Sequence, residues 1–167
     1  MRSWIAAAAL SGMLLLGAGA AVAQESGLAL GARAPAVVVK DLDGLPVDLG
    51  RYIGSRPVLL EFWATWCEVC QALLPTVRAA RQEFGDRVEF FGVNVTVNQT
   101  RDRVRRYLVA EHPPFRTLYD EDGVSTRAYA APTTSYIVII DRKGKVAYTG
   151  TGASQDLVTA LRAVTAD

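Results

Sequence analysis

Cys67 and Cys70 are the two cysteines of the chain, and two residues separate them. Three kinds of chemistry use such a pair. As a structural staple it is poorly placed, because a disulfide restrains the unfolded chain by closing a loop and this loop is very short. As half of a metal site it needs two further ligands. The chain has one histidine, His112, and no second cysteine cluster, so no metal-ligating set is assigned. The remaining chemistry is thiol-disulfide exchange. The sequence passes from an apolar run, Val58–Phe62, to a helical period that starts at Cys67, which puts the pair at a strand-to-helix junction. Unsatisfied N–H groups and a partial positive charge at a helix N-terminus favour thiolate, so Cys67 is the expected nucleophile. Cys70, one turn further in, can attack a mixed disulfide at Cys67 and release the partner.

Glu61 lies within the apolar run. A carboxylate there is costly unless it is neutral or partnered, and burial raises its pKa. It is a candidate to take the proton from Cys70, through a water, or else a capped structural carboxylate.

The elements that must carry these residues follow from apolar periodicity. Residues 36–49 read as a hairpin with a turn at Asp43-Gly44, and 58–62 as a central strand covered on both faces. From Cys67, one helical face carries Cys70, Leu73, Leu74, Val77 and Phe84, with Gly85 as the stop. A strand over 88–95 and a helix capped by Asn98 or Thr100 come next. Then follow a short strand at 115–119, a short helix at 124–129 and a strongly apolar strand at 135–140. A turn leads into a strand at 145–149, and the last helix is expected to be capped by Ser154. Strands alternate with helices and then end in a hairpin and a helix, so the class is α/β with a mixed sheet.

The N-terminus is Met1-Arg2-Ser3-Trp4, followed by an apolar run to Leu16 and small residues ending Ala21-Val22-Ala23. This reads as a secretory signal peptide over 1–23, cut before Gln24, with an uncleaved membrane anchor as the alternative. Residues 24–167 then form one domain, exported to a compartment where disulfides persist. A net charge of +1 over 167 residues supplies no field that would recruit nucleic acid or an anionic membrane.

The segment Glu61-Phe62-Trp63-Ala64-Thr65-Trp66-Cys67-Glu68-Val69-Cys70, with Pro75 five residues on, resembles the active-site segment of thioredoxins. Gly31 to Pro35, the Asp43-Gly44 turn, and Pro132-Thr133-Thr134 before an apolar strand ending Ile140-Asp141-Arg142-Lys143-Gly144 are similar to the exported TlpA/ResA/CcmG branch. The resemblance implies a thioredoxin fold with a mixed central sheet flanked by helices, an N-terminal β-hairpin extension and an inserted helix/strand segment. It implies a thiol-disulfide oxidoreductase with Cys67 as exposed nucleophile, Cys70 as buried resolving thiol, and Pro132 as a cis-proline facing them. A cis bond would turn the Ala131 backbone toward a bound peptide. Glu61 stands where thioredoxins have a buried acid. Two positions depart from the pattern. Leu73 stands where many ResA-like proteins place an active-site glutamate, which moves the proton-acceptor role onto Glu61, and Val69 stands where much of the family has proline.

Trp66, Glu68, Val69, Ala131 and Pro132 are the expected partner-contacting residues, Trp66 for its contact area and Glu68 for the charge it places near Cys67. Arg101, Arg103, Arg105 and Arg106 read as a solvated helix face, and His112 as a loop residue. The sequons at Asn94 and Asn98 read as capping or turn positions. The expected function is reduction of disulfides in a specific exported protein of the cytochrome c or oxidase maturation type. A monomer is expected, with no cofactor beyond its own Cys67–Cys70 disulfide and with a membrane thiol as electron donor. An oxidant or isomerase of the same fold, and a copper metallochaperone using the same thiolates as soft ligands, are the alternatives.

Overall fold

The computed structural model describes residues 27–166, so the expected signal peptide over 1–23 and its expected cleavage site lie outside the described residues. The elements are β1 (Val38–Lys40), β2 (Pro46–Asp48), β3 (Val58–Trp63), α1 (Glu68–Phe84), β4 (Glu89–Val95), α2 (Arg101–Glu111), β5 (Arg116–Asp120), α3 (Val124–Ala128), β6 (Tyr136–Ile140), β7 (Val146–Gly150) and α4 (Leu157–Thr165). The strands form one mixed sheet in the order β2-β1-β5-β4-β3-β6-β7. β3 is central, parallel to β4 and antiparallel to β6, which is why its whole length is apolar apart from Glu61. β1 and β2 form the N-terminal hairpin extension, and β5 with α3 fills the segment between the β-α-β half and the final hairpin and helix.

On one face of the sheet Leu59, Phe90, Ile137 and Ile139 meet Leu73, Val77 and Phe84 of α1 and Leu157 and Leu161 of α4. Val104 is the buried residue of α2, in the cluster that holds Trp63, Cys67, Cys70 and Tyr119. The other face packs Leu60, Phe62, Val93, Leu118 and Val138 against Leu49 and Tyr129.

Capping sets several boundaries. Thr100, one of the two expected caps, accepts the Arg103 N–H and starts α2. The cap of α4 is Asp156 and not Ser154: its carboxylate accepts the Thr159 N–H, as suits an anion at a helix start. Asp120 is buried and receives the backbone N–H groups of Ser125 and Thr126 and the Thr126 hydroxyl at 3.0, 2.8 and 2.6 Å, which fixes α3 and the chain leaving it. Asn94 is fully buried, its amide directed at the Trp63 carbonyl, while Asn98 takes a left-handed turn conformation.

The arginine run of α2 is not uniformly solvated. Arg101 donates to the carbonyls of Asp41 and Leu42, pairs with Glu121 and lies 4.5 Å over the Tyr119 ring. Arg105 donates to the Leu42 carbonyl and pairs with Asp43. These two side chains tie α2 to the hairpin turn, because the sheet brings β5 and β1 side by side under the helix.

Candidate active site

Cys67 is the N-cap of α1, and Cys67 and Cys70 are joined by a disulfide. The Cys67 Sγ accepts the Cys70 backbone N–H at 3.0 Å, so the sulfur does what a serine or aspartate oxygen does at other helix starts. The expectation of an exposed Cys67 and a buried Cys70 is corrected: the two are 5% and 4% exposed. The bond to Cys70 and the contact with its N–H draw the Cys67 sulfur in over the first turn. The side chains that flank it outward are Trp66 and Val69, at 43% and 45% exposure.

Glu61 is 2% exposed, and its Oε2 has no hydrogen-bond partner among the described residues. On β3 it shares a face with Leu59, which packs with Leu73, and with Trp63, which packs with the two cysteines. It therefore faces the first turns of α1. Burial pushes its carboxyl from 4.5 up to about 8. The floor around it is aromatic: Trp63 is 5.1 Å from the Tyr107 ring and 5.6 Å from Phe115. Burial first, and then the neighbouring carboxylates of Glu111 and Glu61, push the Tyr107 phenol up as well. Leu73 is fully buried and supplies no carboxyl.

Ala131 and Pro132 come next to the cysteine loop at Trp66. Together with Trp66, Val97 and Thr126 they line a cleft of about 280 Å³. The cis-proline expectation is corrected: no peptide bond among the described residues is cis, so Ala131–Pro132 is trans. The chain reverses there by other means. Ala130 and Ser135 take positive φ angles of 47° and 62°, and the Ala131 N–H is held by the Thr126 carbonyl, so the turn needs no cis bond against the ordinary trans preference. Glu68 and Val69 are exposed on α1 and do not line this cleft. His112 ends α2 and lines a different cavity, with Asp41, Leu42 and Phe115. No cluster of three or more His, Cys, Asp or Glu side chains fit to hold a metal is present among the described residues.

A cysteine pair on a helix start stands over a buried carboxyl at the centre of a mixed sheet, and the chain is similar to known proteins. The sequence profile of the Redoxin family matches residues 29–164. The chain belongs to the Redoxin family. It is 31% identical over 126 residues to the thioredoxin-like protein YneN of Bacillus subtilis, covering 74% of this chain and 72% of that protein. It is 28% identical over 144 residues to the thiol-disulfide oxidoreductase ResA of Geobacillus thermodenitrificans, covering 84% and 81%. Among solved structures, a protein of Chlorobium tepidum assigned as thiol:disulfide interchange protein DsbE superposes with a TM-score of 0.73 at 25% identity, over 83% of this chain and 99% of that one. This redoxin is a thioredoxin-like protein of the TlpA/ResA/CcmG type and a thiol-disulfide oxidoreductase.

Sequence reasoning missed several residues around the site. Gln99, Val97 and Thr126 carry no pattern of their own and matter only because their loops fold against the cysteine loop. Phe115 was legible only as a strand residue, although its ring covers the sheet beside Glu61.

Proposed function

We propose that this redoxin is exported and reduces disulfides in a specific exported partner of the cytochrome c or oxidase maturation type. In its reduced form the Cys67 thiolate attacks one sulfur of the partner's disulfide, forming a mixed disulfide and releasing the partner's other sulfur as a thiolate, which takes a proton. Cys70 loses its proton to Glu61 and attacks the Cys67 sulfur. The products are the Cys67–Cys70 disulfide and a dithiol partner, two electrons having passed to the partner. A membrane thiol donor returns the pair to the dithiol. The partner's strand lies along the Ala131–Pro132 backbone, with Trp66 beside it. Glu68 and Val69 meet the partner from the first turn of α1.

The observation that carries this reading is the buried Glu61 carboxyl on the face of β3 that α1 covers with Cys70. A carboxyl raised to about 8 is matched to accept a thiol proton near neutral pH. The exchange chemistry draws support from the relative named a thiol-disulfide oxidoreductase, ResA of Geobacillus thermodenitrificans. Among the described residues no helix is long and apolar enough to cross a membrane.

The test is trapping. Cys70→Ser, expressed in the native host, accumulates covalent complexes on non-reducing gels, whose partner mass spectrometry identifies, and Cys67→Ser accumulates few. Trapping by Cys67→Ser alone exchanges the two thiols. Trapping by neither variant, with export intact, defeats the reading and favours a metal carrier. A redox potential near that of DsbA in place of one near thioredoxin's makes the protein an oxidant.

A further inference from the structure

Only Thr65 and Trp66, with Ala64, connect the end of β3 to the N-cap of α1, so their placement sets where the Cys67 sulfur sits. Both backbone groups of Thr65 are held by side chains. The Thr65 N–H donates to Gln99 Oε1 at 3.2 Å, and the Thr65 carbonyl accepts from Gln71 Nε2 at 3.3 Å. The Trp66 indole N–H donates to the Val97 carbonyl at 2.8 Å. The loop between β4 and α2 is thus latched to the loop that carries the nucleophile, and Gln99 is the side chain through which it grips the backbone.

Gln99 is itself fixed. Its Nε2 donates to the Asn98 carbonyl at 3.0 Å, its backbone N–H donates to the Thr96 carbonyl, and the next residue, Thr100, caps α2. Asn98 has a φ of 54°, a left-handed conformation that asparagine tolerates better than most residues, so the turn presents the carboxamide in one orientation.

We propose that Gln99 is a positioning residue for the dithiol: its carboxamide oxygen holds Thr65, and through Thr65 keeps the Cys67 sulfur seated on the N-terminus of α1. This rests on the reading that Cys67 is the attacking thiol. The stabilisation that helix N–H groups give a thiolate falls off steeply with distance, so a loop free to shift by a fraction of an ångström weakens it. Trp66 moves with the same loop, which joins nucleophile placement to the wall of the partner cleft.

The test uses the purified protein, reduced, with iodoacetamide alkylation followed across pH, the modified cysteine identified by peptide mass spectrometry, and folding checked by thermal melting. In the parent protein Cys67 is alkylated first. In Gln99→Ala, and in Gln99→Met, which keeps length but loses the acceptor, the Cys67 midpoint moves up by about half a unit or more, and alkylation near pH 6 slows about threefold. Both variants still melt cooperatively. An unchanged midpoint in both overturns the proposal. So does a change in Gln99→Ala alone, which makes the effect one of packing, or loss of cooperative melting in both, which makes Gln99 structural. First alkylation of Cys70 in the parent protein overturns the underlying assignment of the thiols, and the positioning role with it.

Discussion

Glu61 on β3 is paired in register with Gly92 on β4, and the ring of Phe115 occupies the space that a side chain at 92 would need. Paired residues on neighbouring strands project to the same face, so Phe115 lies on the face of the sheet that carries Glu61. The glycine makes room for an aromatic cover beside the buried carboxyl, whose Oε2 has no hydrogen-bond partner among the described residues.

Gly92→Ala therefore tests the cover directly. A Cβ there would collide with the Phe115 ring, so the ring must move. Overpacking of this kind costs about 1–3 kcal/mol, and urea unfolding measures it. Adding Phe115→Leu to Gly92→Ala recovers part of the loss, a non-additivity expected of two residues in contact.

Exchange kinetics test the carboxyl. With Glu61 raised to about 8, roughly a tenth of it is ionised at pH 7, and the ionised fraction grows with pH. The resolving step by Cys70 accelerates through about pH 8 and then levels. Glu61→Gln removes that inflection and slows the step about 10-fold or more, read by stopped-flow across pH. An unchanged profile makes Glu61 purely structural.

Stability moves the other way. Glu61 titrates near 4.5 when unfolded and near 8 when folded, so between these values the folded state holds the extra proton. Stability is greatest below the lower value and falls as pH rises, by at most about 1.4 kcal/mol per pH unit in that window. Glu61→Gln flattens the fall and is the more stable form at pH 8, a comparison that thermal melts from pH 5 to 9 make. A loss of stability in the variant at pH 8 would mean that the carboxylate is satisfied in the fold.

Arg101 and Arg106 separate a clamp from a solvated face. Arg101→Ala loses two backbone acceptors, an ion pair and a ring contact, and destabilises by about 1–3 kcal/mol. Arg101→Lys restores only part, since one ammonium cannot reproduce the planar fork. Arg106→Ala, at an exposed position, changes stability by no more than about 0.5 kcal/mol in denaturant titration.

The sequence alone determined what depends on short stretches of chain. Cys67 and Cys70 sit on the start of α1 because an apolar strand-length run gives way to helical period at Cys67, and both signals are local. Glu61 was legible as a buried acid because its neighbours leave a charge no cheap place in a central strand. The hairpin, with its turn at Asp43-Gly44, and a cap of α2 at Asn98 or Thr100, which the structure resolves as Thr100, follow from side chains that bond their own backbone a few residues away. Tertiary structure decided what depends on residues far apart in the chain. The grip of Gln99 on Thr65 spans 34 positions, and the tie of Arg101 to Asp41 spans 60. Phe115 fills the space over Gly92 only once β4 and β5 are aligned. The burial of Cys67 and the trans bond before Pro132 belong here too: each is set by the loops that close on it, and no local pattern of residues encodes how those loops meet.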